Sequence, residues 1–114
     1  MLKIQKEFRK GILFIRIKGN LEKESNTLFS LKVTKMIENM GIRCVVFNMC
    51  EMSKIDLKGI HNIYYIYEFC NRKNGEVYIC NLKDNVYQKL KNNNAFRYLK
   101  LINNELEAFK LIKI

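Results

Sequence analysis

The sequence predicts an α/β domain in which a mixed central sheet is flanked by helices, in the order β-β-α-β-α-β-α-β-α. Three patterns carry that expectation. Residues 12–18 alternate, with Ile12, Phe14, Arg16 and Lys18 on one side and Leu13, Ile15 and Ile17 on the other, the period of a strand with one buried face. Residues 42–48 (Ile-Arg-Cys-Val-Val-Phe-Asn) are apolar on both faces, as a central parallel strand is. Between and after them, apolar residues recur at the three-and-four spacing of helices.

Taken in order, residues 3–8 form the first strand, and a turn at Lys10-Gly11 leads into the second. Gly19-Asn20 ends that strand. From residue 25 to residue 39 the apolar positions Phe29, Val33, Met36, Ile37 and Met40 mark a helix, and Gly41 supplies a left-handed stop. After strand 42–48 comes a loop of about eight residues, then a helix over 57–71. Its inner stripe is Ile60, Ile63, Tyr64, Tyr67 and Cys70; its outer stripe is Lys58, His61, Tyr65, Glu68 and Arg72. Asn74-Gly75 closes it and residues 76–80 form a strand. A helix over 83–93 led by Asp84 keeps Val86, Tyr87 and Leu90 inward, and residues 97–101 form the last strand. Asn104-Glu105-Leu106-Glu107 has the form of a capping box and starts a final helix anchored by Leu106, Phe109 and Ile112.

Length and composition agree with a single domain over residues 1–114. The hydrophobic fraction is 48%, no proline interrupts any element, and neither a repeat nor a linker is visible. The apolar runs fall short of a membrane span, and charges occupy the N-terminal positions where a signal peptide has its apolar core, so a cytoplasmic, non-exported chain is expected. Cys44 and Cys80 sit inside apolar strand patterns. No C-x-x-C occurs and His61 is the only histidine, so buried thiols are expected rather than disulfides, a metal site or a cofactor. The net charge of +10 raises the question of an acidic partner, such as nucleic acid or an anionic surface. Its lysines are spread from Lys3 to Lys113 with no basic run longer than two, and specific nucleic-acid binding is therefore not expected.

The segment that draws attention is Asp56-Leu57-Lys58-Gly59, where a strand, a loop and a helix N-terminus meet. Such corners are recognition sites in α/β proteins. Asp56 is placed to cap the helix, while Lys58 puts a cation on a first turn whose dipole favours an anion.

With its surroundings, this segment resembles the STAS domain of bacterial anti-anti-sigma factors. The likeness rests on Gly19-Asn20-Leu21-Glu22, Lys32-Val33-Thr34, the strand 42–49, and Met52-Ser53-Lys54-Ile55-Asp56-Leu57-Lys58-Gly59-Ile60, set against a family pattern of roughly L-S-x-x-D-S-[ST]-G-[LI]. The resemblance implies a non-enzymatic module that binds an anti-sigma factor which is also a serine kinase, and whose release follows phosphorylation of the hydroxyl residue just before the glycine. This chain keeps Asp56 and Gly59 but has Leu57 and Lys58 where the two hydroxyl residues belong. Lys58 cannot accept phosphate. It places +1 where the switched state would carry about −1.5 to −2.

The expected partner surface is the loop 50–56 with Lys58, His61 and Tyr65, that is Met52, Ser53, Asp56, Lys58, Gly59, His61 and Tyr65 within the motif and its helix. Ser53, the only hydroxyl in the loop, is the candidate for a displaced phosphosite. Two other readings keep or change the class: a STAS subunit of a lipid-transport ATPase or another signalling assembly, and nucleic-acid binding driven by charge. An enzyme built on Cys50 or His61 has no partner residues at helical spacing behind it.

Overall fold

The computed structural model describes residues 2–112. A hairpin of β1 (Lys3–Arg9) and β2 (Ile12–Leu21) opens the chain. Helix α1 (Ser25–Phe29) passes through a π-helical turn (Ser30–Thr34) into α2 (Lys35–Met40). Then follow β3 (Cys44–Ile55), α3 (Leu57–Arg72), β4 (Glu76–Cys80) and α4 (Asp84–Asn92). A 3-10 turn (Ala95–Arg97), β5 (Lys100–Ile102) and α5 (Glu107–Leu111) complete the chain. The five strands form one sheet in the order β1-β2-β3-β4-β5, with β1 antiparallel to β2 and the rest parallel. This is the expected mixed sheet with flanking helices.

Strand alternation divides the apolar residues between the two faces of the sheet. Leu13, Ile15, Ile17, Val45, Phe47, Val77 and Ile79 join Phe29, Val33 and Ile37 from the first helical segment, Ile60, Ile63 and Ile66 from α3, and Val86 and Leu90 from α4 in the larger core. Each such side chain contributes on the order of 1.5–3 kcal/mol when fully removed from water. The other face packs Ile12, Phe14, Cys44, Val46, Tyr78 and Cys80 under Ala108 and Ile112, and the Phe14 and Phe109 rings meet at 5.4 Å.

The largest departure from the expected layout is at β3. It continues past Asn48 to Ile55 and pairs with β2 as far as Leu21↔Ile55, so the anticipated eight-residue loop shrinks to Asp56. The pairing skips a residue of β3 in two places, between Asn48 and Glu51 and between Met52 and Lys54. A bulge inserts one unpaired residue, and here two of them convert alternation into a period of three, burying Met49, Met52 and Ile55 and exposing Cys50, Glu51, Ser53 and Lys54. That period is why the segment did not read as a strand.

Smaller differences have equally local causes. The first helix is interrupted by its π turn, and Met40, expected inward, is exposed at its end, beside Gly41 in the left-handed conformation (φ 63°). On α3 the buried stripe includes Ile66, whereas Tyr64 lies partly in solvent, edge-on against Tyr98 at 4.9 Å. The last strand starts at Lys100 because residues 95–97 turn as a 3-10 helix. Asn104 accepts from the Glu107 amide at 3.2 Å, but Glu107 reaches the amide of Asn103 rather than that of Asn104, so the box closes one residue early. Leu106 is consequently exposed and anchors nothing; Ala108 takes that role.

Cys44, Cys70 and Cys80 are buried and Cys50, carried out by the first bulge, is exposed. Burial pushes the Cys70 and Cys80 thiols up to about 12. In the native protein one thiol should therefore react with a disulfide reagent in the time that all four react in denaturant. Rapid modification of two or more without unfolding would contradict this packing.

Candidate functional site

The site is built around Asp56, which does more than cap a helix. Its backbone is extended (φ −102°, ψ 178°), which aims the carboxylate back at the first turn of α3. Oδ1 accepts the Gly59 amide at 2.8 Å, satisfying one of the unpaired donors at a helix start. The same oxygen accepts from Asn26 Nδ2 at 3.1 Å, and Oδ2 accepts the Lys23 amide at 2.9 Å. Asn62 Nδ2 in turn donates to Asn26 Oδ1 at 3.0 Å. One carboxylate thus joins the turn after β2, the start of α1 and the first two turns of α3. Burial alone would raise its pKa, but the amides of Lys23 and Gly59 and the side chain of Asn26 outweigh that, and the carboxyl is held below its ordinary value.

Gly59 follows from how closely α3 approaches the sheet. A Cβ there would lie 2.9 Å from the Leu21 carbonyl oxygen and 2.9 Å from Ile55 Cγ1. The glycine therefore sets the depth at which the helix start sits, and being buried it offers no side chain to a partner. Met52 is likewise fully buried, because the bulges turn it inward, and is a core residue rather than a contact residue. Asp56 is half-buried and committed to its network.

The remaining expected residues do reach the surface. Lys58, His61 and Tyr65 rise along one exposed stripe of α3. They form one wall of a groove of about 480 Å³ whose other wall is Ser30, Thr34, Lys35 and Glu38. Tyr65 O–H donates to Glu38 across it. Ser53 is exposed at the second bulge, and its carbonyl accepts from Asn85 Nδ2 at 2.6 Å. It lies on β3, outside that groove.

The electrostatics of the two faces differ. The five ion pairs among the described residues, Arg9–Glu7, Arg16–Glu7, Arg16–Glu105, Lys18–Glu51 and Lys100–Glu76, involve only strand residues and Glu105. Lys35 and Lys58 are in none of them. Lys58 faces the positive end of α3 at a cost of about 0.3–1 kcal/mol, so its charge is not explained by local stability.

Sequence reasoning missed Asn26, Asn62, Glu38 and Thr34. Asn26 had left a trace: it precedes Phe29, Val33 and Ile37 at the spacing of the buried stripe, and an inward asparagine needs polar partners.

The described residues form an α/β domain with a helix start exposed beside a groove, and none of their helices is long and apolar enough to cross a membrane. Residues 3–108 match the family described as the STAS domain, and the chain belongs to that family. It is 22% identical over 113 residues to an anti-sigma F factor antagonist of Paenibacillus polymyxa, covering 99% of this chain and 97% of that one. The fold is shared with a crystal structure of a putative anti-sigma factor antagonist from Thermotoga maritima, at a TM-score of 0.89 and 17% identity over 96% of this chain and 93% of the other. It is also shared with the anti-sigma factor antagonist SpoIIAA in its unphosphorylated form, at a TM-score of 0.74 and 15% identity over 95% and 94%.

Proposed function

We propose that this chain is a non-enzymatic regulatory module of the anti-sigma factor antagonist kind, which binds a protein partner through the exposed stripe of α3 and is not switched by phosphorylation at the helix start. The observation that carries the reading is Lys58. It occupies the exposed second position of α3, two residues after the capping Asp56 and directly before the buried Gly59, so the corner keeps its framework while the hydroxyl position holds a cation. The antagonist of Paenibacillus polymyxa, matched end to end, supports the class of function.

The test is incubation with an anti-sigma factor kinase from the same genome and ATP, read by intact mass and by co-purification. A complex that forms and gains no phosphate is expected. Lys58→Ser should then add one phosphate and make the complex ATP-sensitive, with little change in stability, since the substitution removes a cation from the positive end of the dipole. A single phosphate on the parent chain mapped to Ser53 would mean that the switch has moved along β3. Failure of any such partner to bind would overturn the reading.

A further inference from the structure

The groove between the π turn with α2 on one side and α3 on the other has a chemistry of its own. Its rim carries Lys35, Lys58 and His61, and no acidic side chain forms an ion pair with either lysine among the described residues. Thr34 lines the same groove, is only 8% exposed, and its hydroxyl is the one buried side-chain polar atom among the described residues without a hydrogen-bond partner. It belongs to the π turn, a local irregularity of a kind that recurs at functional sites. A hydroxyl lacking an acceptor can donate to any oxygen that reaches it, and the two lysines lining the same groove favour one that carries negative charge.

The groove also limits how much negative charge it accepts. Glu38 sits at its far end, tied to Tyr65, and would repel the successive phosphates of a nucleic acid laid along it. Beyond Lys58 the groove runs on past Ser30 and Asn62 to Leu31, which is 57% exposed. An exposed leucine beside an isolated cationic cluster matches an amphipathic protein segment better than a polyanion. We infer that this groove docks an acidic segment of the partner protein, one carboxylate seating among Thr34, Lys35, Lys58 and His61 while an apolar residue of the same segment covers Leu31. This rests on the protein-binding reading above and names the partner chemistry of that site.

The probe is an amphipathic leucine–glutamate peptide, titrated into the isotope-labelled full chain and followed by amide chemical shifts at ~0.15 M salt, where the Debye length is about 8 Å. Saturable shifts centred on residues 30–35 and 58–62 are expected. Lys35→Glu and Lys58→Glu should each weaken the interaction about tenfold or more, and Thr34→Val should weaken it less. All three variants are checked for native circular dichroism. The same peptide with glutamine for glutamate should not bind. Shifts scattered over lysines of the whole surface, equal binding of the glutamine peptide, indifference to both charge reversals, or tighter binding of duplex DNA to the same residues would each overturn the inference. A chain that captures an anti-sigma kinase yet ignores Lys35→Glu loses the groove and keeps its function; one that binds the peptide in the groove but no such kinase loses the function and keeps the groove.

Discussion

Asp56→Ala should lower the stability of the domain by about 2–3 kcal/mol in denaturant unfolding, more than an ordinary helix cap. Loss of the cap itself accounts for roughly 0.5–2 kcal/mol. The remainder comes from Asn26, which is 1% exposed and would be left with a weakened donor arrangement, its Nδ2 keeping only the Lys23 carbonyl at 3.2 Å. The Lys23 amide also loses its acceptor. The effect has a pH signature. A carboxyl held below its ordinary value in the folded state contributes stability in full above the unfolded value of about 4 and loses it as pH falls through the folded value. The gap between the parent chain and Asp56→Ala should therefore be constant near neutrality and close on acidification below about pH 4. Glu105, held low mainly by the Arg16 hydrogen bond, adds to the acid sensitivity of both proteins and does not affect the gap. A variant as stable as its parent at pH 7 would remove Asp56 from the centre of the corner.

Gly75→Ala should be at least as costly, about 3 kcal/mol or more, at the upper end of what overpacking does. A Cβ at this position would stand 1.7 Å from the carbonyl oxygen of Arg43 and 2.5 Å from its carbonyl carbon, and neither backbone atom can swing aside as a side-chain tip can. The neighbourhood is also fully engaged. The Gly75 amide donates to Cys70 O at 2.8 Å to finish α3, and the next amide, Glu76, donates to Arg43 O at 3.0 Å to begin the pairing of β3 with β4. Relieving the clash means parting those strands at their first rung. Thermal unfolding should show a drop on the order of 10 °C or more, and an unchanged midpoint would mean that β3 and β4 can separate freely there.

The two positions also show what could be read in the residues alone. Asp56 as a helix cap was legible, because an acidic residue ahead of an apolar helical stripe is a local signal. Its ties to Lys23 and Asn26 were not, since they join residues 33 and 30 positions apart. Asn74-Gly75 was legible as a helix stop, but the crowding against Arg43 depends on a sheet that the stop does not encode. The mixed sheet and its flanking helices follow from patterns that are intact in the chain, while the order of the strands does not. What escaped were the places where regular periods break, at the two bulges of β3 and the π turn after Phe29. Of the site, Lys58, His61 and Tyr65 were legible as an outward stripe. The facing wall of Thr34, Lys35 and Glu38 comes from a helix whose outer residues had no distinguishing pattern.

The bulged half of β3 has a consequence for how such a domain can change over time. With one inward residue in every three, Met49, Met52 and Ile55 hold that half of the strand, and Cys50, Glu51, Ser53 and Lys54 are released from any duty to the interior. Four of seven consecutive positions beside the helix start can therefore be rewritten while the packing beneath stays as it is. Surface chemistry and folding become separately inherited traits within a single strand, and substitutions can accumulate on its outer side without passing through an unstable intermediate.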